Sequence, residues 1–154
     1  MAEYSFYHLL PPMTLERALG LLMERVLAAG RRALVRAGSL ERVSALDTGL
    51  WTWNDGSFVP HGAAPDPEAA RQPVWLTTDA DNPNGADVLA LVDGVEPDFE
   101  TLDRDGFTRC LDIFDGTDDA AVEAARERWR RAKAQGHVVS YWALTPEGRW
   151  EKRA

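Results

Sequence analysis

Apolar residues recur along this chain in two periods, which predict strands and helices in turn. Residues 3–10 (EYSFYHLL) form an aromatic-rich run that predicts a strand. Residues 14–29 keep the 3.6-residue period of a helix, with a threonine placed to cap its start and a glycine placed to end it. Residues 32–37 predict a second strand, and Ser39 begins a second helix whose inward-facing residues are expected to be Leu40, Val43, Leu46 and Leu50. This strand, helix, strand, helix order predicts an α/β fold with a mostly parallel sheet and helices on both faces.

The second half of the chain has a looser pattern that continues the same fold. Residues 54–73 contain four prolines and predict a long surface loop. Further strands are predicted at residues 74–78, 88–93 and 107–114. The last helix is expected to begin at Gly116 and Thr117 and to end at Gly136. A closing hairpin is predicted from residues 137–144 and 148–152, around a turn at residues 145–148.

Composition makes this an ordinary globular chain, and residues 1–154 are expected to form one domain. Cys110 is the single cysteine, so no internal disulfide can form, which fits a reducing cytoplasm. The sequence shows no signal peptide and no apolar segment long enough to cross a membrane. The net charge of -8 argues against broad nucleic-acid binding, because DNA affinity comes mainly from a positive surface.

Candidate catalytic and cofactor-binding patterns are weak. The first strand-to-helix turn, LLPPMTLE, contains no glycine, so backbone amides cannot approach a phosphate closely there. The three histidines, His8, His61 and His137, lie far apart and have no metal-binding or catalytic context. The residues therefore predict a protein that is not an enzyme and that holds no cofactor and no metal.

The stretch ARERWRRAKAQGH in the last helix is unusual for an acidic chain, because it places five of seventeen basic residues within eight positions. On a helical wheel Val122, Ala125, Trp129 and Ala132 form an apolar stripe. Arg126, Arg130 and Lys133 form a cationic stripe directly beside it, whereas Arg128 and Arg131 point elsewhere. Such a surface suits a short ligand with carboxylates and one large apolar group. The alternative is a solvated helix face whose arginines pair with Glu123 and Glu127.

Four segments of the chain are similar to one known family. They are FYHL near the N-terminus, ALDTGLWTWNDGSFVPHG, RCLDIFDG and ARERWRRAKAQG. On the basis of these four segments, the chain resembles the chi subunit of the bacterial DNA polymerase III holoenzyme over nearly its whole length. That resemblance implies a single-domain Rossmann-like three-layer fold with no nucleotide-binding loop, which agrees with the glycine-free first turn.

The resemblance implies a non-enzymatic adaptor. Family members link the clamp-loader complex, through its psi subunit, to single-stranded DNA-binding protein (SSB) by gripping the acidic C-terminal tail of SSB, which ends in phenylalanine. The residues that match the family's tail site are Arg126, Trp129, Arg130 and Lys133, the sided set found on the helical wheel. An aromatic pair that faces psi or an accessory helicase maps onto Trp51 and Phe58.

One position departs from the family pattern. Some members carry a lysine where this chain has Val122, so one contact with the tail is expected to be missing. The alternative function is a direct single-stranded DNA-binding module, in which Trp129 stacks on a base and the arginines contact phosphates.

Overall fold

The computed structural model describes residues 2–54, 56–144 and 149–153. Eight strands form a single sheet in the order β3-β4-β2-β5-β6-β1-β7-β8. Every neighbouring pair is parallel except the β7–β8 pair, which is antiparallel. The strands are β1 (Glu3–Leu9), β2 (Ala33–Arg36), β3 (Gly62–Ala63), β4 (Val74–Thr77), β5 (Val88–Leu91), β6 (Arg109–Asp115), β7 (Val138–Leu144) and β8 (Trp150–Lys152).

The described residues form three α-helices, α1 (Leu15–Ala28), α2 (Leu40–Thr52) and α3 (Asp119–Ala134). Each begins where a polar side chain accepts a hydrogen bond from a backbone amide of its first turn, and those caps are Thr14, Ser39 and Asp118. The capping positions of the first two helices confirm the sequence prediction.

Two apolar clusters lie on opposite faces of the sheet. Helices α1 and α2 cover one face with residues such as Leu19 and Leu46, and α3 covers the other face with Ala125 and Ala132. Strand residues alternate between the two clusters, as the two-residue period of a strand requires. Because both faces are covered, the central strands β2, β4 and β5 are buried throughout and mostly apolar, and the three-layer α/β prediction is confirmed.

Two predictions for the first half of the chain need correction. Leu40 is 57% exposed, because it occupies the first position of α2 and the helix does not contact the core before Val43. The segment 54–73 is not only a surface loop. It contains β3, which pairs with β4, and a short 3-10 helix (Ala69–Arg71), and its residues Val59 and His61 are buried. A two-residue strand is too short to show periodicity.

The second half follows the prediction more closely. The last helix begins two residues later than expected, because Asp118 caps it by accepting from the amides of Ala120 and Ala121. Gly116 and Thr117 lie in the turn before it. The predicted hairpin is present as the β7–β8 pair, and its turn at residues 145–148 lies outside the described residues. No helix among the described residues is long and apolar enough to cross a membrane.

Candidate protein-binding site

Helix α3 is fixed to the sheet by a buried ion pair. Arg128 donates two hydrogen bonds to the Asp112 carboxylate of β6, at 2.6 and 3.0 Å, and the Tyr4 hydroxyl donates a third at 2.8 Å. Arg128 and Asp112 are only 1% and 2% exposed. Burial raises the pKa of the Asp112 carboxyl, and the hydrogen bonds and charge of Arg128 oppose that rise. This network sets the rotation of α3 and so decides which residues face solvent.

The helical wheel predicted only part of the position of Arg128. The sequence places Arg128 away from the cationic stripe, which is correct, but the side chain points into the core rather than into solvent. Burial of a charge depends on its partner, and Asp112 lies on another element, 16 residues earlier.

The outward face of α3 carries the predicted cationic stripe. The side chains of Arg126 and Arg130 are 61% and 65% exposed, and Lys133 is also exposed. Arg126 pairs with Glu123 at 2.8 Å, and Arg130 pairs with Glu127 at 3.0 Å. Exposed pairs of this kind contribute about 0.2–1 kcal/mol, so an anionic ligand can replace them at little cost.

Trp129 lies beside this stripe and is half-buried. Its ring centroid lies 5.6 Å from that of Phe6 in β1 and 6.1 Å from that of Tyr141 in β7. Lys133 Nζ lies 5.6 Å from the centre of the indole. Trp129 is thus held at the junction of helix and sheet, with the Lys133 ammonium group over its ring.

Three further residues, which were not predicted from the sequence to belong to the site, lie near this junction. Tyr141 borders the indole and hydrogen-bonds to His8 Nδ1. Arg153 donates its backbone N–H to the Tyr141 carbonyl oxygen at 2.7 Å, and its charge, like that of Arg126, lowers the pKa of His8. Alternation along the predicted strand 137–144 could have assigned Tyr141 to one face, but only the strand order shows that this face borders α3.

Neither Val122 nor Arg131 belongs to the cationic stripe. Val122 packs partly buried against the apolar cluster under α3, so this position adds no cation to the stripe. Arg131 forms an ion pair with Glu96, and its guanidinium lies 5.4 Å from the Phe99 ring centre. Arg131 therefore has its own acidic and aromatic partners, separate from those of Arg126 and Arg130.

The predicted aromatic pair forms a second exposed surface. Trp51 and Phe58 are 48% and 70% exposed, and their ring centroids are 5.6 Å apart. The Trp51 ring also lies 4.3 Å from that of His61, whose imidazole contacts Asp47 at 2.8 Å. Neither aromatic residue belongs to the core, and exposed rings this large are unusual on a free surface.

The loop that carries Phe58 is anchored by a close contact with α1. The indole of Trp53 packs onto Gly20, where an added Cβ would lie 2.3 Å from the ring. Ser57 also hydrogen-bonds to Glu24 of α1. Glycine in the middle of a helix is normally unfavourable, and here it allows the indole to reach the backbone.

Cys110 and the histidines have structural partners. Cys110 is fully buried. His137 contacts the backbone oxygens of Ala2 and Phe99, and His61 contacts that of Val59. Within the described ranges, no three His, Cys, Asp or Glu side chains lie close enough to hold a metal ion.

A cavity of about 750 Å³ lies at the carboxyl ends of β1 and β6, whose following helices cover opposite faces of the sheet. Such a crevice is the usual ligand position of open α/β sheets. Here its lining includes Asp93, Asp115 and Asp118, and Arg42 is paired with Asp93 at 3.1 Å. A phosphate would therefore meet several carboxylates and a cation that is already neutralised.

We accordingly expect no nucleotide binding at this crevice. Calorimetric titration with ATP or NAD at sub-millimolar concentration should give no binding heat. Saturable binding that is lost in an Ala124→Trp variant, which would place a large ring in the crevice, would contradict this expectation.

The fold makes this chain a three-layer α/β protein. It has an acidic crevice where a phosphate-binding loop would lie, and it has exposed cationic and aromatic surfaces. Residues 1–140 match the family of the DNA polymerase III chi subunit, HolC, and the chain belongs to this family. It is thus an accessory subunit of the replicative polymerase.

Two relatives support this assignment. The DNA polymerase III subunit chi of Haemophilus influenzae is 27% identical over 153 residues, which cover 96% of this chain and 98% of the relative. A protein of Rickettsia prowazekii, named as a probable DNA polymerase III subunit chi, is 30% identical over 92 residues. That match covers 60% of this chain and spans only 55% of the Rickettsia protein.

Proposed function

We propose that this subunit is a non-enzymatic adaptor that grips the acidic C-terminal tail of SSB with α3 and joins it to the clamp-loader complex in the cytoplasm. The observation that carries the proposal is that Arg126, Arg130 and Lys133 recur at four- and three-residue spacings along the exposed face of α3, with Lys133 Nζ over the Trp129 indole. Tail carboxylates would replace Glu123 and Glu127 as partners of the arginines. The terminal phenylalanine would lie against Trp129 and Tyr141.

Two effects would favour binding of the tail: the arginines exchange their ion-pair partners at little cost, and an apolar ring is buried. Arg126 and Arg130 lie in water with partners from their own helix, so little interaction energy is lost when they change partners. A ring that enters the junction of helix and sheet gains apolar burial of about 1.5–3 kcal/mol. Because SSB is a multimer with several tails, modest affinity for one tail would be multiplied by avidity.

The alternative, direct binding of single-stranded DNA through α3, has less support. The net charge of -8 opposes binding of a polyanion. The test is a titration of the purified chain with an SSB tail peptide and, separately, with an oligothymidylate, at one salt concentration. Saturable binding of the peptide alone supports the adaptor, and preferential binding of the oligonucleotide would reject it.

Trp51 and Phe58 are proposed as the docking surface for a second protein, the psi subunit or an accessory helicase. Their exposure and mutual contact support this role. Apolar surface of this kind gains free energy when a partner removes it from water.

Changing Phe58 to alanine is expected to abolish co-purification of the second partner while leaving both stability and tail binding unchanged. The reason is that Phe58 is 70% exposed and contributes little to the core. Leu40→Ala removes a comparably exposed apolar residue from the first position of α2, away from the aromatic pair, and serves as the control. Equal partner recovery with Phe58→Ala and Leu40→Ala would show that the aromatic surface is not the docking site.

Tail binding is expected to raise the pKa of His8. In the free chain burial lowers the pKa of His8, and the charges of Arg126 and Arg153 lower it further. Carboxylates bound at Arg126 would offset that positive charge and favour the protonated imidazole. By linkage, the tail should then bind more tightly as the pH falls below the ordinary histidine pKa of about 6.5.

The measurement is a proton NMR titration of the His8 ring with and without saturating tail peptide. Arg126→Gln should reduce the difference between the two titrations, because it removes the nearest charge to be offset. A pKa of His8 that is the same in free and bound protein would place the tail away from Arg126.

A further inference from the structure

A second pocket lies on the face of the sheet opposite α3, between the C-terminal half of α1 and strands β7 and β8. Its volume is about 240 Å³. Three aromatic side chains form one wall, and the Tyr7 and Trp150 rings meet edge to face with centroids 4.6 Å apart. Apolar residues of α1 form the other wall. We call this the rear pocket, lined by Tyr7, Arg25, Arg109, Trp142 and Trp150, among others.

The rear pocket is cationic. Arg25, Arg31 and Arg109 all line it, and Lys152 Nζ lies 6.0 Å from the Trp142 ring centre at its outer edge. The lining includes no carboxylate among the described residues. This separates it from the crevice at the other end of the sheet, which several aspartates line.

Two of these arginines have unused hydrogen-bonding capacity. Arg31 is paired with Asp87 at 2.8 Å, but Arg25 makes no side-chain hydrogen bond or ion pair with the described residues. Arg109 Nε is buried and has no acceptor among them. Glu3 is the register neighbour of Arg109 on β1, but it is exposed and does not line the pocket.

Both arginines line the rear pocket together with Tyr7. Burial raises the pKa of the Tyr7 hydroxyl, and the charges of Arg109 and Arg25 both oppose that rise. A buried donor without an acceptor is costly, and an incoming anion would satisfy it. The site therefore favours a negatively charged group beside a flat apolar wall.

The size and charge of the pocket select among anions. A volume of about 240 Å³ accommodates one or two side chains rather than a run of nucleotides. The overall charge of -8 opposes a long polyanion, whereas the guanidinium fork matches a single carboxylate. The aromatic wall suits an apolar or aromatic neighbour of that carboxylate in the same ligand.

We propose that the rear pocket binds an acidic peptide segment of a partner protein, with a carboxylate between Arg25 and Arg109 and an apolar side chain against Tyr7, Trp142 and Trp150. This site is separate from the α3 surface and does not depend on it. One chain would then hold two acidic segments on opposite faces of its sheet.

The test uses the full chain labelled with ¹⁵N and the model peptide acetyl-Asp-Phe-Asp-Phe-Asp-amide. The indole N–H signals of Trp142 and Trp150 report on the rear pocket, and that of Trp129 reports on α3, once each is assigned by substitution with phenylalanine. We expect the peptide to shift the Trp142 and Trp150 signals in a saturable way. Because different indole signals report on the two sites, absence of binding at α3 can be distinguished from absence of binding at the rear pocket.

Arg25→Gln should weaken the binding seen at Trp142 and Trp150 about tenfold, because it removes one charge-assisted hydrogen bond. Arg17→Gln removes the same charge from an exposed position of α1 outside the pocket and should leave this binding unchanged. Three results would overturn the proposal. They are shifts confined to Trp129, equal effects of Arg25→Gln and Arg17→Gln, or tighter Arg25-dependent binding of an oligothymidylate than of the peptide.

Discussion

Replacing Arg128 with methionine is expected to lower the free energy of unfolding by about 3–5 kcal/mol, because it leaves the Asp112 carboxylate buried without its cation. The guanidinium supplies two of the three hydrogen bonds that Asp112 accepts from side chains. Methionine has a similar length and keeps the apolar packing of the side chain, so the loss reports the charge pair. Urea denaturation followed by circular dichroism measures it.

The matched control is Arg126→Met on the outer face of the same helix. Its exposed pair with Glu123 contributes at most about 1 kcal/mol, so this variant should unfold close to the parent. If Arg128→Met were as stable as Arg126→Met, the buried pair would not be the contact that fixes α3.

The Arg128→Met variant should also have a distinctive pH dependence. Burial already raises the pKa of Asp112, and removal of Arg128 takes away the main opposing influence. The folded variant then binds a proton at pH values where the unfolded chain has lost it, so its stability falls as pH rises above the ordinary aspartate range of about 3.9. Part of the lost stability should therefore return in acid, and Asp112→Asn should not show this recovery.

Reversing the charges of Arg126 and Arg130 together is expected to abolish detectable binding of the SSB tail. Hydrogen bonds to charged groups contribute about 1.5–3 kcal/mol each, so loss of two weakens binding by at least about a hundredfold. The new glutamates would also lie beside Glu123 and Glu127 and repel the tail carboxylates. Because both arginines are exposed, the double variant should stay folded, and its circular dichroism spectrum checks this directly.

Parts of the fold that depend on local pattern could be predicted from the sequence. Thr14 and Ser39 cap helices as expected, because capping uses residues only three positions apart. The sidedness of α3 also follows from local spacing, since Ala125 and Ala132 are buried and Arg126 is exposed. Such features need no knowledge of distant contacts.

Features that depend on contacts between distant elements could not be predicted. The burial of Arg128 requires Asp112 on β6, and the border between Trp129 and Tyr141 requires β7 to lie beside β1. The exposure of Phe58 depends on the anchoring of Trp53 against Gly20, which fixes the course of the loop. In each case the partner lies many positions away, beyond the range of any periodic pattern.

The proposal that α3 holds the tail on one side is tested most directly by fluorescence anisotropy of a labelled SSB tail peptide, titrated with the parent, Arg130→Gln and Arg131→Gln at one salt concentration. Glutamine is preferred to glutamate here, because a glutamate at position 131 would face Glu96 and disturb the fold. Arg130→Gln should weaken binding about tenfold, and Arg131→Gln, whose partners are Glu96 and Phe99, should leave it nearly unchanged. Equal losses in the two variants would indicate a diffuse effect of charge and would contradict a sided tail site on α3.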